Sequence, residues 1–110
     1  MLIDFKEMKG ATVPCMYEGV GTMTAKIFSD ETTKIMPCRI HAGGAIGTHR
    51  HEIADEIDFV LSGVGTAYCD GEEEKLTGGV CHICKKGSTH SIVNTGAEDL
   101  VLLTVVVESK

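Results

Sequence analysis

Three histidines and one glutamate stand at separations that suit a metal site. His49 and His51 are two residues apart, so on an extended strand both imidazoles lie on one face, about 6.5 to 7 Å apart along the backbone. Glu56 follows five residues after His51, and a short turn between them lets its carboxylate reach the same point. His90 lies far along the chain, but a barrel that folds back on itself can bring it beside this pair. Imidazole and carboxylate ligands together suit a borderline or hard divalent ion, so Mn, Fe, Ni, Co, Cu and Zn all remain candidates.

Asp58 is a candidate for a catalytic role beside these ligands. It follows Glu56 by two residues on the same predicted strand, and residues two apart share a face of a strand. A carboxylate in that position could act as a general base or orient a histidine. The alternative is that a bulge turns Asp58 toward solvent.

The elements that must position these groups are short β-strands. Thirteen glycines and only two prolines punctuate the chain, and no amphipathic helical period is sustained over ten residues. Short strands with turn signals between them indicate an antiparallel barrel or jelly roll of roughly eight or more strands. The first twenty residues are less regular and are expected to form an arm that pairs with the barrel or with a partner subunit. The runs rich in apolar and β-branched residues are 22–28, 34–41, 57–61, 66–69, 73–76, 80–84, 90–93 and 100–107.

Composition limits the classes of protein that fit. The chain has 110 residues, with 10 Lys+Arg against 16 Asp+Glu, so its formal net charge is −6. These values predict one small acidic domain covering residues 1–110. The acidic balance argues against a nucleic-acid partner, and no apolar run reaches the ~20 residues that span a bilayer. With no signal-peptide pattern at the start, we expect a cytoplasmic location and reduced cysteines.

The glycines and ligand-type residues together resemble the two motifs of the cupin superfamily. The first motif appears with every spacing met, at Gly43, His49, His51, Glu56 and Gly63. The second motif appears at Gly79, Gly87, His90 and Asn94, with Lys85 where the family has proline. The resemblance covers residues 43–94, roughly the central half of the chain. Asp58 stands where cupins more often have an apolar or aromatic residue.

This resemblance implies an all-β fold, a double-stranded β-helix or jelly-roll barrel. It also implies one divalent transition metal ion (Mn, Fe, Ni or Zn) bound by His49, His51, Glu56 and His90. Four protein ligands on an ion that prefers six leave two positions for other molecules. Such a site would act on a small organic molecule by dioxygenation, decarboxylation or isomerisation. The alternative is a non-catalytic module that binds or senses a small molecule or a metal.

Subunit pairing is a further expectation. The run 100–107 lacks clean alternation, so both faces of that strand are expected to be covered. A small barrel covers only one of these faces by itself. A second subunit would bury the other, and the family resemblance also points to a homodimer.

Two further patterns concern residues near the second motif. Cys81 and Cys84 form a C-x-x-C, but positions three apart on a strand face opposite ways, so a paired redox or zinc role is not expected. His82 and Cys84 do share a face and, if that face is the interior, would approach the metal as outer groups. The acidic run 72–74 follows Asp70 and Gly71 and is expected to be a solvated loop.

Overall fold

The computed structural model describes residues 1–108, and almost all of their regular secondary structure is β-strand. A single short 3-10 turn, Phe5–Glu7, precedes the strands. This is the all-β architecture that the glycine-punctuated sequence predicts. The strands are β1 (Ala11–Pro14), β2 (Thr22–Ala25), β3 (Phe28–Ser29), β4 (Thr33–Ile40), β5 (Ala45–Arg50), β6 (Ala54–Ser62), β7 (Val64–Cys69), β8 (Glu72–Thr77), β9 (Cys81–Cys84), β10 (Thr89–Asn94) and β11 (Leu100–Glu108).

Two antiparallel sheets pack face to face as a jelly roll. The larger sheet has seven strands in the order β1-β2-β4-β11-β6-β9, with β3 also paired to β4. The smaller sheet has four strands in the order β5-β10-β7-β8. Side chains alternate between interior and exterior along each strand. The interior set forms the core, which includes Met23, Met36, Ile40, Val60, Ile92, Leu100 and Leu102.

The first twenty residues pair with the chain's own barrel. β1 lies antiparallel to β2, with Ala11 opposite Ala25. The segment between them then turns onto β5, where Val20 and Ala45 exchange backbone hydrogen bonds of 2.9 and 2.8 Å. The arm therefore adds an edge to the larger sheet and also touches the smaller one.

A β-bulge interrupts the pairing of β5 with β10. His90 lies opposite His49, and Ile92 lies opposite Ile46, so three steps on β5 face two steps on β10. The extra residue changes which face of β5 points inward. Ile46 is buried in the core, and His49 nevertheless points to the same side. The bulge therefore brings the histidines of β5 into the barrel.

The outer face of the larger sheet is only partly covered in a single chain. On β11 the interior residues Leu100 and Leu102 are fully buried, whereas the outward-facing Leu103 is half-buried. Across the sheet, Phe59 is 41% exposed and Ile83 is 47% exposed. The chain alone thus covers one face of β11. Within residues 1–108 no helix has the length and hydropathy needed to span a membrane.

We predict that Gly47→Ala destabilises the fold. A Cβ on Gly47 would lie 1.9 Å from the backbone oxygen of Tyr17, so the arm or the bulge would have to move. We expect a loss of about 2 kcal/mol or more in the free energy of unfolding, measured by urea denaturation.

Gly96→Ala is the matched control for this variant. A Cβ on Gly96 would make only ordinary contacts, the nearest at 3.4 Å from the backbone oxygen of Val64. Its unfolding free energy should stay within about 0.5 kcal/mol of the wild type. Equal stability of the two variants would contradict the close packing of the arm on β5.

Candidate metal centre

Four side chains from three parts of the barrel converge at one end of its interior. His49 lies on β5, His51 follows that strand directly, Glu56 lies on β6 and His90 on β10. The three Nε2 atoms of the histidines are each 3.1 Å from the other two. Glu56 Oε1 lies 3.1 Å from His51 Nε2, and its Oε2 lies 3.2 Å from His90 Nε2. The structure thus brings together all four residues that the sequence nominates.

Hydrogen bonding on the far side of the His49 ring shows which nitrogen is free to bind an ion. His49 Nδ1 lies 2.8 Å from the backbone oxygen of Gly47. A carbonyl oxygen can only accept, so the neutral ring carries its proton on Nδ1 and presents a bare Nε2 to the other histidines. The lone pairs of unprotonated nitrogens at this distance repel one another, and a cation or a proton between them removes the repulsion.

The spacing of the three nitrogens fits a metal ion with ligands at right angles. For bonds of about 2.1 Å, neighbouring ligands are about 3.0 Å apart in an octahedron and about 3.4 Å apart in a tetrahedron. The observed 3.1 Å is nearer to the octahedral value. The donor set therefore fits one divalent transition metal ion, which the three imidazoles would hold with the Glu56 carboxylate as a fourth ligand.

Charge in the site is also suited to a cation. Burial would raise the pKa of Glu56, but the His51 and His90 imidazoles beside its two oxygens outweigh burial and hold this pKa well below its usual value. Burial lowers the pKa of His49, although its bond to Gly47 acts in the other direction. At neutral pH the carboxylate is ionised and His49 is neutral, which are the forms that bind metal.

Asp58 faces the interior, as its spacing from Glu56 predicts, and not the solvent. It is 1% exposed, and its Oδ1 accepts a hydrogen bond of 2.6 Å from the Thr104 hydroxyl on β11. Its Oδ2 has no hydrogen-bond partner among residues 1–108. Burial and the neighbouring Glu56 carboxylate raise the pKa of Asp58 well above its usual value. Asp58 therefore holds its proton more tightly than an exposed carboxyl group does, next to the Glu56 carboxylate.

A cavity of about 340 Å³ opens beside the four residues. Its walls combine the metal-ligand candidates and Asp58 with apolar side chains. Charged residues such as Arg50 and Glu52 also line it. The apolar wall consists of Met16, Met36, Ile46, Ile53, Ala54 and Val106, together with Tyr17. The cavity has the size of a small-molecule site.

Tyr17 is a site residue that the sequence patterns do not reveal. Its ring stacks on the His49 imidazole, with the centroids 3.7 Å apart and the planes 9° apart. The backbone there is strained, since Tyr17 and Glu18 have φ values of 59° and 56°, a region that few residues other than glycine adopt. Burial and the Glu56 charge raise the pKa of Tyr17, which keeps the phenol neutral. No residue-type signal marks this position, because the contact depends on how the arm folds onto β5.

His82 and Cys84 also lie inside the barrel, on the face that they were expected to share. His82 is 1% exposed, and its two ring nitrogens contact His90 and Glu74. Residues 72–74 are exposed to solvent as expected, but the prediction of a loop is wrong, because Glu72 begins β8 and Glu74 contacts the buried His82. Asp70 and Gly71 form a two-residue hairpin turn, so β8 begins directly after it and Glu72 pairs with Cys69 of β7.

Cys81 and Cys84 point to opposite faces of β9, as their spacing predicts. All five cysteines are free thiols, and Cys81 is exposed whereas Cys84 is buried on the opposite face. Burial raises the pKa of Cys84 to about 12, and burial likewise raises the pKa of Cys38 to about 12. Both remain protonated at neutral pH and are poor ligands or nucleophiles.

The departure from the second motif at Lys85 leaves the turn before His90 intact. Ser88 N donates to the backbone oxygen of Lys85 at 2.9 Å, and Gly87 N donates to that of His51 at 2.6 Å. His41, the remaining histidine, lies at the end of β4 and contacts Thr24 and Asp99 instead of the site.

Comparison with known proteins agrees with this geometry. Residues 37–106 match the family model of the Cupin domain. The oxalate-binding protein of Thermotoga maritima is 33% identical over 69 residues, which are 63% of this chain and 57% of that protein. The pectin degradation protein KdgF of Dickeya dadantii is 34% identical over 70 residues, 63% of this chain and 64% of that protein. The chain thus matches less than two thirds of the length of these relatives.

Solved structures share the fold over nearly the whole chain. A predicted oxalate decarboxylase from Thermotoga maritima superposes with a TM-score of 0.83 at 24% identity, covering 99% of this chain and 100% of the other. KdgF from Halomonas sp. superposes with a TM-score of 0.77 at 19% identity, covering 96% of this chain and 92% of the other. At these identities the likeness concerns the fold. With the family match over residues 37–106, it leads to one conclusion: the chain belongs to the cupin family.

Proposed function

We propose that this cupin holds one divalent transition metal ion at His49, His51, Glu56 and His90 and uses it to bind a small organic anion. The observation that carries the proposal is the convergence of three imidazole nitrogens and a carboxylate oxygen within 4.8 Å of one another, at the wall of a cavity. When bound there, the ion supplies Lewis acidity and two open coordination positions. The imidazole and carboxylate donors suit Mn, Fe, Ni or Zn.

Charge balance supports an anionic ligand. Three neutral imidazoles, one carboxylate and a divalent ion sum to a net charge of about +1, because the buried Asp58 is neutral. The site then attracts a carboxylate into its open positions. The relative named oxalate-binding protein supports a small carboxylic acid as the first ligand to try. Apolar walls at Met36 and Ile46 would exclude water from the bound molecule.

We predict that the purified wild type binds about one equivalent of metal and that His51→Ala does not. Removing one of three nitrogen ligands should weaken binding more than the 10- to 100-fold loss typical of groups outside the ligand set. Elemental analysis after dialysis, followed by metal titration of the stripped protein, measures both quantities. His41→Ala is the control, because it removes a histidine outside the site. A wild type that binds no metal after stripping and reloading would refute the proposal.

Turnover and simple binding are separated by a second measurement on the loaded protein. Oxalate and related small acids are titrated by calorimetry, and the same mixtures are analysed for products and dioxygen uptake. Product formation supports a dioxygenase, decarboxylase or isomerase type of enzyme. Stoichiometric binding without turnover supports the alternative, a non-catalytic binding or sensing module.

We also propose that Asp58 acts on the bound molecule as a proton donor from the cavity wall. It is buried, neutral and next to the Glu56 ligand, and its Oδ2 has no partner within residues 1–108. Thr104 holds its other oxygen in place. An acid so placed can deliver a proton to a substrate at the open side of the ion.

The protonated state of Asp58 predicts how stability depends on pH. The folded-state pKa lies above the unfolded value, so the folded chain binds this proton more tightly. This contribution is complete below the unfolded pKa of about 4 and is lost as pH rises through the folded-state value. In metal-free protein, Asp58→Asn should reduce the loss of stability that begins above about pH 4, because an amide mimics the neutral acid. Urea unfolding of both proteins from about pH 4 upward measures this loss, and identical pH dependence would contradict a raised pKa of Asp58.

We further propose that the protein is a homodimer joined by the outer face of its larger sheet. Two rows of apolar residues cross four strands of this sheet. One row is Pro37, Leu103, Phe59 and Cys81, and the other is Ile35, Val105, Ile57 and Ile83. A contiguous apolar face on a sheet marks a contact surface, and a second copy covers it by two-fold symmetry.

We predict that Phe59→Lys converts the dimer to a monomer. Two buried lysine charges per interface are too costly to desolvate. Light scattering coupled to size exclusion gives the mass. Tyr68→Lys, on the outer face of the smaller sheet and 45% exposed in the wild type, should leave the dimer intact. A monomeric wild type would remove this proposal.

A reducing compartment such as the cytoplasm is the location that we infer for the protein. All five cysteines are free, and free thiols persist where the medium is reducing. The net charge of −6 weighs against nucleic acid as a partner.

A further inference from the structure

Three side chains form a line from the surface of the barrel to one of the candidate metal ligands. Glu74 on β8 is partly exposed, and its Oε1 lies 2.8 Å from Nδ1 of His82. His82 on β9 is 1% exposed, and its Nε2 lies 2.9 Å from Nδ1 of His90. The line crosses the barrel, since β9 belongs to the larger sheet whereas β8 and β10 belong to the smaller one.

The direction of each hydrogen bond follows from the chemistry at its ends. His90 Nε2 points at the other two imidazoles and Glu56, so a metal-binding His90 is bare at Nε2 and carries its proton on Nδ1. That proton is donated to His82 Nε2. A neutral His82 then carries its own proton on Nδ1 and donates it to the Glu74 carboxylate. One tautomer at each ring satisfies every contact in the line.

We propose that His82 and Glu74 are positioning residues that hold His90 in its metal-binding tautomer and ring orientation and make its Nε2 a stronger donor. A carboxylate at the far end polarises both imidazoles toward the ion, as carboxylate–histidine pairs behind metal ligands do. The inference rests on the proposed metal site. It goes beyond that proposal because His82 and Glu74 are not among the four proposed ligands.

The rings of His82 and His90 are also held in parallel. Their centroids are 5.2 Å apart and their planes differ by 20°. His82 itself cannot turn away without leaving two nitrogens unpaired in the core, which costs more than the bonds are worth. His90 is therefore held before any ion arrives, and less ordering is needed on binding.

A second ion at this place is the competing interpretation. Asp58, His82 and His90 offer one ligand atom each within 4.8 Å of one another. An ion there would take the Nδ1 of His90 that donates to His82, and would require His90 to bridge two metals. The hydrogen-bonded line pairs both His82 nitrogens with protein groups alone, so it predicts one ion per chain.

The test compares Co²⁺ binding by metal-free wild type and four variants. His82→Leu removes the acceptor, and we expect its Kd for Co²⁺ to rise about 10- to 100-fold. His82→Gln can still accept from His90 and donate to Glu74, so it should recover part of this loss. Glu74→Gln keeps an acceptor but loses the charge and should raise Kd several-fold. Glu73→Gln makes the same charge change on the outward face of β8 and should leave Kd unchanged.

Two further readouts separate positioning from general damage to the fold. The visible spectrum of bound Co²⁺ should shift in His82→Leu and shift back in His82→Gln. Imidazole ¹⁵N shifts of the metal-free protein should report an Nδ1-protonated His90 in the wild type and a mixture of tautomers in His82→Leu. If His82→Leu does not fold, His82→Gln and Glu74→Gln still decide.

Each outcome has a distinct meaning. A wild type that binds no Co²⁺ contradicts the proposed metal site and this inference with it. If the wild type and His82→Leu bind Co²⁺ with the same Kd, the positioning role alone is overturned. If His82→Leu is unfolded, the same conclusion follows when His82→Gln and Glu74→Gln both bind Co²⁺ with the wild-type Kd. Two Co²⁺ ions per wild-type chain would overturn the positioning role in favour of the second ion site.

Discussion

One extra residue in β5 decides which side chains this barrel presents to its interior. Ile46 points into the core, and on a regular strand a residue three positions later would point out. The bulge restores His49 to the inside and places it opposite His90. Gly47 sits within the bulge, and its N–H donates to the backbone oxygen of Met16 at 3.0 Å. The arm and the bulge therefore form one unit, and the convergence of the histidines depends on both.

Polar groups inside so small a barrel must be paired across the two sheets. β6 sends two carboxyl groups, Glu56 and Asp58, into an interior that is otherwise mostly apolar. Two adjacent buried negative charges would repel strongly, and the site reduces this repulsion because the pKa of Glu56 is lowered and that of Asp58 is raised. Thr104 then satisfies one oxygen of the neutral acid. The interior thus carries a single net negative charge in the ligand set, ready to be compensated by a cation.

Much of the fold could be predicted from the sequence, because it depends on spacing along single strands. Of the ligand set, spacing indicates His49, His51 and Glu56, whereas His90, on a strand distant in sequence, follows from the resemblance to the cupin motifs. Residues two apart share a face, so Glu56 and Asp58 had to point the same way, and glycine pairs mark where strands end. The placement of His82 and Cys84 on one face followed from the same rule. The bulge escaped this reasoning, since pairing register is decided between strands and not within one. Tyr17 and Glu74 were missed for a related reason: each reaches the site from an element distant in sequence, and nothing local distinguishes them from surface residues.

The stack of Tyr17 on His49 gives the protein an optical reporter of its own. The chain has no tryptophan and two tyrosines, so its near-ultraviolet emission comes from only two rings. Tyr68 lies on the outer face of the smaller sheet, 45% exposed, far from the cavity wall in which Tyr17 stands. Any change in the charge or coordination of His49 acts directly on the Tyr17 ring, whereas Tyr68 adds a background emission that does not depend on this contact. Events at the centre of the barrel can therefore be followed in the unlabelled, unmodified protein.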